Sequence, residues 1–222
     1  MFKAVIFDLD GVLVDTADLH FDAWQKVSIE YGLSCGINMI DGLKGVSRAK
    51  CLEMIIKQSN RNISESMKID ILTKKNDLYL EKIKSISGFD ILPGVNEILK
   101  FLERHHIKIA LGSASKNADF ILTKTELGNY FDAIVDGNMI SNAKPDPEVF
   151  LRAAELINIS PHDCLVIEDA KSGVEAAKRA GMQVIGVGEE KLLSEANLIV
   201  PNLNANIVKE YISQFSYNQV SI

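Results

Sequence analysis

The chain has 222 residues, 47% of them hydrophobic and 24% charged, which is typical of a globular protein with one large core and room for a second, smaller unit. Its formal net charge of −6 argues against nucleic acid or an anionic membrane surface as a partner, because both favour a cationic face. No apolar run approaches the ~20 residues that span a bilayer, and the apolar start of the chain reaches Asp8 too soon for a signal peptide, so we expect a cytoplasmic protein.

Short apolar runs, the pattern of strands buried on both faces, recur along the chain. The first covers residues 4–7, and the others cover residues 107–111, 133–135, 164–167, 184–187 and 198–200. From about residue 90 onward, helical patterns separate most of these runs. The alternation predicts an α/β fold with a Rossmann-like, doubly wound parallel sheet, whose ligand site lies at the carboxyl ends of the strands.

The stretch from residue 16 to residue 87 has three helical patterns and no convincing strand. Asp15 or Thr16, Ser47 and Ser64 precede these patterns as potential N-caps. The third pattern carries a stripe of Ile69, Leu72, Asn76, Tyr79 and Ile83. We therefore predict an all-helical cap domain at 16–87, inserted into a catalytic core made of 1–15 and 88–222.

Acidic pairs follow two of the predicted strands: Asp8 and Asp10 follow the first, and Glu168 and Asp169 follow the run at 164–167. A plain turn would explain the first pair alone. Two acidic clusters at the ends of buried strands are costly, however, unless a cation neutralises them. Because oxygen ligands favour a hard ion, we predict that all four residues bind Mg²⁺.

The run at 107–111 ends in a small, hydroxyl-rich loop that opens a helix. Backbone N–H groups and hydroxyls at Ser113, Ala114, Ser115 and Asn117 suit a phosphate group, although a simple helix cap explains the loop equally well. Lys144 precedes a proline, where a lysine usually faces solvent. Beside four carboxylates and a phosphate it would instead be a fixed positive charge for a phosphoryl group in transfer.

Together, residues 5–16, the loop at Ser113, Lys144 and residues 168–173 resemble the four ordered motifs of the haloacid dehalogenase superfamily. The helical insertion is similar to the cap of that superfamily. The resemblance implies phosphoryl transfer in which Asp8 attacks phosphorus and becomes an aspartyl phosphate, and Asp10 acts as general acid and base. It also implies that Ser113 and Lys144 belong to the catalytic set.

The helical insertion further resembles the sugar-phosphate mutases of this superfamily. His20 and Trp24 lie one helical turn apart, so a ring nitrogen can meet Asp10 while the indole covers the pocket; a core histidine is the alternative. Arg48 at a helix N-terminus suits the phosphate that is not transferred, although exposure to solvent is the default for arginine. The predicted substrate contacts of the insertion are Thr16, His20, Trp24, Gly45, Val46, Ser47, Arg48, Lys75 and Asn76.

For a mutase of this kind, the resemblance implies an isomerase that interconverts β-glucose 1-phosphate and glucose 6-phosphate, with β-glucose 1,6-bisphosphate as intermediate and activator. A sugar-phosphate phosphatase with the same core is one alternative. A non-catalytic sugar-phosphate-binding module is another, and the intact acidic residues and Lys144 weigh against it. We expect a small sugar phosphate as the partner and a monomeric chain, with no membrane or nucleic acid bound.

Overall fold

The computed structural model describes residues 2–217, so Met1 and residues 218–222 of the predicted core lie outside the described residues. Within them, one sheet of parallel strands has the order β3-β2-β1-β4-β5-β6. The strands are β1 Ala4–Phe7, β2 Lys108–Gly112, β3 Ala133–Val135, β4 Cys164–Glu168, β5 Gln183–Val187 and β6 Leu198–Val200. The predicted doubly wound parallel sheet is therefore confirmed.

Helices cover both faces of the sheet. The α-helices are α1 Ala17–Glu30, α2 Ile40–Leu43, α3 Arg48–Ser59, α4 Glu65–Ile83, α5 Val95–Arg104, α6 Ala118–Lys124, α7 Glu148–Leu156, α8 Lys171–Arg179, α9 Glu190–Leu193 and α10 Ala205–Tyr217. Short 3₁₀ turns lie at Ile37–Met39, Gly88–Asp90, Leu127–Tyr130 and Pro161–Asp163. Because side chains alternate along a strand, Val5 and Phe7 pack with α5, α6 and α10, whereas Ala4 and Ile6 pack with α7 and α8.

The helical insertion, residues 16–87, has a small apolar core of its own, which includes Trp24, Ile55 and Ile71. It holds four α-helices rather than the three that were predicted, because the short α2 and the turn before it show no clear periodicity. The chain leaves and re-enters the sheet region side by side, with the Leu92 N–H donating to the Leu13 carbonyl at 3.0 Å. The division of the chain into cap and core at these points stays a prediction.

Two of the three predicted N-caps are confirmed. The hydroxyls of Ser47 and Ser64 accept hydrogen bonds from the backbone N–H groups of Lys50 and Met67, at the starts of α3 and α4. Thr16 precedes α1, but its hydroxyl does not cap the helix. It donates instead to the Asp10 carboxylate, so the prediction of a capping role for Thr16 was wrong.

The buried stripe of α4 differs from the predicted one. The buried residues are Ile71, Lys75, Tyr79 and Ile83 at successive four-residue spacings, and Ile69 is 63% exposed. The sequence pattern assigns a lysine to the outer face by default, because an unpaired buried ammonium group is costly. Here Lys75 faces inward because the insertion supplies partners for its charge.

Candidate active site

A cavity of about 450 Å³ lies between the carboxyl edge of the sheet and the helical insertion. Its volume lies within the usual range for a site that binds a small molecule. Most of the predicted site residues line it: Asp8, Asp10, His20, Trp24, Gly45, Val46, Ser47, Arg48, Lys75, Ser113, Ala114, Ser115, Asn117 and Asp169. The fold thus brings together residues that are up to 161 positions apart in the sequence.

Two predicted substrate contacts of the helical insertion lie outside the cavity lining. Thr16 is fully buried, and its hydroxyl is bonded to Asp10. The side-chain oxygen of Asn76 is buried and has no hydrogen-bond partner among residues 2–217. Asn76 follows Lys75 on α4, but only Lys75 lines the cavity. The structure therefore gives Thr16 a role in orienting Asp10 and gives Asn76 no contact with the cavity.

Beneath the cavity floor, Lys144 lies between two carboxylates. Its Nζ donates to Asp8 Oδ1 at 2.6 Å and to Glu168 Oε1 at 2.7 Å, and all three side chains are buried. Burial alone would lower the pKa of Lys144, but the charges of Asp8 and Glu168 outweigh it and raise that pKa. Lys144 is consequently a permanent cation, and it is held against Asp8, the residue predicted to be the nucleophile.

Asp8 directly follows β1, and the charges around it act on its pKa in opposite directions. Burial raises its pKa to about 7, against the opposing effect of Lys144 and with a further rise from Glu168 and Asp10. A carboxylate nucleophile must be ionised to attack. Additional positive charge near Asp8 would therefore favour its reactive form.

The carboxylates that face the cavity fit a divalent cation. Burial and the charges of Glu168 and Asp8 raise the pKa of Asp169 well above its usual value, as expected for acidic groups buried close together. Among the described residues, no three acidic, histidine or cysteine side chains are gathered as a complete metal site. Mg²⁺ commonly uses one or two carboxylates, with water and substrate phosphate completing its shell. Asp8 and Asp169 satisfy that requirement.

The two other predicted metal ligands have different partners. Glu168 is fully buried, with Oε1 on Lys144 and Oε2 accepting from the Ala170 N–H at 2.5 Å. The Asp10 carboxylate is engaged by Thr16 and lies 3.6 Å from His20. Protein donors thus contact the carboxylates of Glu168 and Asp10, and the binding of Mg²⁺ by these two residues stays a prediction.

Asp10 is a carboxylate surrounded by donors. Burial alone would raise its pKa, but hydrogen bonding and charge from His20, the Thr16 hydroxyl and the charge of Lys75 outweigh it, so the pKa of Asp10 lies below its usual value. The distance from His20 Nε2 to Asp10 Oδ1 is 3.6 Å. At neutral pH Asp10 is therefore ionised and able to accept a proton, as a general base must.

Lys75, on α4, contacts His20, the neighbour of Asp10. Only 2% of the residue is exposed, and its Nζ lies 2.7 Å from His20 Nδ1. Burial, followed by the charge of Arg48, lowers the pKa of Lys75 to about 7. Burial and the charge of Lys75 also lower the pKa of His20. These shifts favour a neutral imidazole between Asp10 and Lys75.

Groups suited to phosphate lie on two sides of the cavity. On the sheet side, the hydroxyls of Ser113 and Ser115 fix the loop after β2 by accepting from the N–H groups of Ser115 and Asn117. On the insertion side, Arg48 opens α3, and burial lowers the pKa of its guanidinium without removing its charge. A ligand with two phosphates could meet positive or hydrogen-bonding groups at both ends.

The helical insertion touches the sheet domain at Gly45, whose φ is +66°. A Cβ atom at this position would come within 2.6 Å of the Ala170 Cβ and 2.8 Å of the Ser172 Oγ. Only glycine fits both the backbone conformation and the close approach. The cavity is thus covered by the loop before α3.

Several residues of the lining were not predicted. Lys116 lies in the same loop as Ser113, Lys44 comes from the insertion, and the loop after β3 contributes Gly137, Ile140, Ser141 and Ala143. The position of β3 beside β2 could have indicated that loop, because the carboxyl ends of parallel strands meet at one edge. Its residues carry no acidic or basic pattern that would single them out.

Across the part of the chain that the structure covers, no helix is long and apolar enough to cross a membrane.

Comparison with known proteins agrees with this geometry. A family model described as haloacid dehalogenase-like hydrolase matches residues 5–187. The chain is 40% identical over 200 residues to the beta-phosphoglucomutase of Bacillus subtilis (strain 168), covering 89% of this chain and 88% of that protein. It is 34% identical over 221 residues to the phosphorylated carbohydrates phosphatase of Thermotoga maritima, covering 95% and 100%.

Among solved structures, the beta-phosphoglucomutase from Clostridium difficile superposes with a TM-score of 0.91 at 39% identity, covering 99% of this chain and 98% of that one. The resemblance predicted from the four motifs is confirmed by both kinds of match. The chain belongs to the haloacid dehalogenase-like hydrolase family.

Proposed function

We propose that the protein acts as a β-phosphoglucomutase, an isomerase that interconverts β-glucose 1-phosphate and glucose 6-phosphate through phosphorylated Asp8. The observation that carries the proposal is the covered cavity in which Asp10 meets His20 and Lys75 of the helical insertion. The similarity to the Bacillus subtilis enzyme supports the same assignment.

In the first half of the cycle, the C6 hydroxyl of β-glucose 1-phosphate attacks the phosphorus atom on Asp8. The new bond joins the C6 oxygen to phosphorus, the bond between phosphorus and the Asp8 oxygen breaks, and Asp10 takes the hydroxyl proton. The lowered pKa of Asp10 keeps it ionised and ready for this step. The product of this half is β-glucose 1,6-bisphosphate.

In the second half, the bisphosphate turns round and presents its C1 phosphate to Asp8. The Asp8 carboxylate attacks phosphorus, the bond to the C1 oxygen breaks, and Asp10 returns its proton to that oxygen. Glucose 6-phosphate leaves, and Asp8 is phosphorylated again. Lys144, whose Nζ lies 2.6 Å from Oδ1 of unmodified Asp8, offsets negative charge during both transfers.

The phosphoryl group also needs a cation on its open side. Asp8 and Asp169, which both line the cavity, would hold Mg²⁺, and its charge would offset that of the phosphoryl oxygens. Glu168 contributes by holding Lys144 rather than by direct ligation. The remote phosphate of the substrate would meet Arg48, with Ser115, Lys116 and Asn117 facing it across the cavity.

The covered cavity explains how a sugar hydroxyl could compete with water. Gly45 brings the insertion into contact with Ala170 and Ser172 of the sheet domain. Closure of such a lid excludes bulk water and brings the acid/base group into place. Water is thereby kept from phosphorylated Asp8 while the sugar occupies the site.

A product analysis tests the proposal. With β-glucose 1-phosphate, Mg²⁺ and a trace of β-glucose 1,6-bisphosphate, we expect glucose 6-phosphate as the main product. The Asp8→Asn variant, which loses the nucleophile, should form none. Inorganic phosphate as the main product would contradict the mutase assignment.

The alternative is a sugar-phosphate phosphatase with the same nucleophile. It is favoured by the 34% identity to the phosphorylated carbohydrates phosphatase of Thermotoga maritima over nearly the whole chain. The same assay, run with a panel of sugar monophosphates, distinguishes the two activities by the ratio of isomerised sugar phosphate to inorganic phosphate.

A further inference from the structure

We propose that Tyr79 is a positioning residue, whose ring face holds His20 and Lys75 in place beside Asp10. The proposal deepens the proposed function and rests on it, because the group that it supports is the acid/base group of that reaction. Tyr79 itself does not line the cavity, so it would act through its neighbours rather than on the substrate.

The first observation is a ring stack. Tyr79 is 1% exposed, and its ring lies nearly parallel to the His20 imidazole, with centroids 3.9 Å apart and planes 22° apart. This contact fixes the plane of the imidazole. In that plane, Nδ1 lies 2.7 Å from Lys75 Nζ and Nε2 lies 3.6 Å from Asp10 Oδ1. The stack therefore determines where both nitrogens of His20 point.

The second observation is the partner of a buried charge. Lys75 Nζ lies 4.7 Å from the centroid of the Tyr79 ring and 5.4 Å from that of Trp24. Among residues 2–217, no carboxylate forms an ion pair with Lys75. The electron-rich face of an aromatic ring attracts an ammonium group, most strongly where water is excluded. Of the two aromatic rings beside Lys75, that of Tyr79 is the nearer to its ammonium group.

The position of Tyr79 on α4 allows its ring to contact both Lys75 and His20. Lys75 and Tyr79 are four residues apart, so they lie one above the other on the same helix face. His20 arrives from α1 against that face. Loss of the ring would remove the nearer of the two aromatic faces beside Lys75 and would free His20 to rotate.

The hydroxyl of Tyr79 does not explain its burial. The oxygen is completely buried, and its polar neighbours are Thr16 and Asp10, with neither of which it forms a hydrogen bond of good geometry. Burial raises the pKa of Tyr79, so the hydroxyl stays protonated and carries no charge. The contacts of Tyr79 with His20 and Lys75 are made by its ring.

Two sets of variants test the proposal in the Mg²⁺-loaded enzyme, with β-glucose 1-phosphate and β-glucose 1,6-bisphosphate. We expect Tyr79→Leu to lower kcat about tenfold, with KM changed less than about twofold, and Tyr79→Phe to restore most of kcat. In the second set, phenylalanines with one, two and three ring fluorines replace Tyr79. Fluorine withdraws charge from the ring face without removing the ring, so kcat should fall stepwise, while a thermal midpoint well above the assay temperature checks that each variant stays folded.

A matched control is available at Phe101, which contacts His105 at a centroid distance of 4.2 Å, away from the cavity. The same fluorine series at Phe101 should leave kcat unchanged. A flat series at Tyr79 in an active mutase would overturn this proposal alone, as would a Tyr79→Phe variant as slow as Tyr79→Leu. A wild-type enzyme that releases only inorganic phosphate would overturn the proposed function and this proposal with it.

Discussion

Two buried lysines, Lys144 of the sheet domain and Lys75 of the helical insertion, meet opposite electrostatic environments. Their exposed fractions are 3% and 2%, yet the pKa of Lys144 is raised and that of Lys75 is lowered to about 7. Lys144 lies between the carboxylates of Asp8 and Glu168, whereas Lys75 meets an imidazole and two aromatic rings. The difference shows that burial alone does not set the charge of a lysine; its partners do.

The two lysines therefore have different roles in the candidate site. The sheet side holds a permanent positive charge beside Asp8, where we propose that a phosphoryl group is transferred. The insertion side holds a lysine whose pKa is lowered to about 7 and which contacts His20, the neighbour of Asp10. The two sides can therefore be perturbed separately, and they should respond in opposite directions to the removal of their lysine.

The largest expected effect comes from Lys144→Met. Asp8 and Glu168 would remain buried without their counter-ion, so we expect a loss of about 3–5 kcal/mol in the free energy of unfolding. Product formation should fall at least about 10²-fold, because the positive charge beside Asp8 is lost. Urea unfolding and the product assay measure both. The exposed Lys84→Met is the control, and a stability loss no larger than that of the control would contradict the ion-pair interpretation.

The next effect comes from Arg48→Ala, which removes the guanidinium of the cavity wall. If Arg48 contacts the remote phosphate, the variant should lose about 2–5 kcal/mol of transition-state binding, measured as kcat/KM. The pKa of Lys75 should rise at the same time, because the charge of Arg48 helps to lower it. Lys50→Ala, on the same helix but exposed, is the control. Kinetics close to wild type would place Arg48 outside the phosphate site.

The third prediction concerns pH and metal on the sheet side. In the folded protein the pKa of Asp8 is raised from 3.8 to about 7, so between about pH 4 and pH 7 the unfolded chain releases this proton more readily than the folded one. Ionisation of Asp8 should therefore lower stability as the pH rises through this window, by about 2–4 kcal/mol in metal-free protein.

Urea unfolding at pH 5, 6, 7 and 8, with EDTA or with Mg²⁺, measures this effect. The decline attributed to Asp8 is the difference between the wild type and Asp8→Asn. Mg²⁺ should reduce that difference, because it compensates the ionised carboxylates. An identical pH dependence in the two proteins would show that Asp8 does not titrate as proposed.

The smallest expected effect has the opposite sign. Lys75→Met removes a buried cation without stranding a carboxylate, so the variant should be about 1–3 kcal/mol more stable than the wild type at pH 6. The wild type gains stability as the pH rises above about 7, because folded Lys75 gives up its proton before the unfolded chain does. The gap should therefore narrow toward pH 10. Lys74→Met, a partly exposed neighbour, is the control, and a destabilised Lys75→Met at pH 6 would contradict the comparison.

Much of the fold could be predicted because parallel strands buried on both faces leave a continuous apolar run in the sequence. The runs ending at Asp8, Ser113 and Glu168 became the central strands β1, β2 and β4, and their carboxyl ends meet at one edge. The serines before the helical patterns also predicted the N-caps of α3 and α4 at Ser47 and Ser64.

The monomeric state and the cytoplasmic location stay predictions.

The sequence by itself determined the α/β class, the helical insertion and the set of chemical groups in the cavity, because these depend on local periodicity and on residue type. Only the tertiary structure decided how those groups are paired. Glu168 is turned to Lys144 rather than outward, Thr16 to Asp10 rather than to its helix, and Lys75 inward against Tyr79. Such pairings depend on contacts between segments far apart in the chain, which no local pattern records.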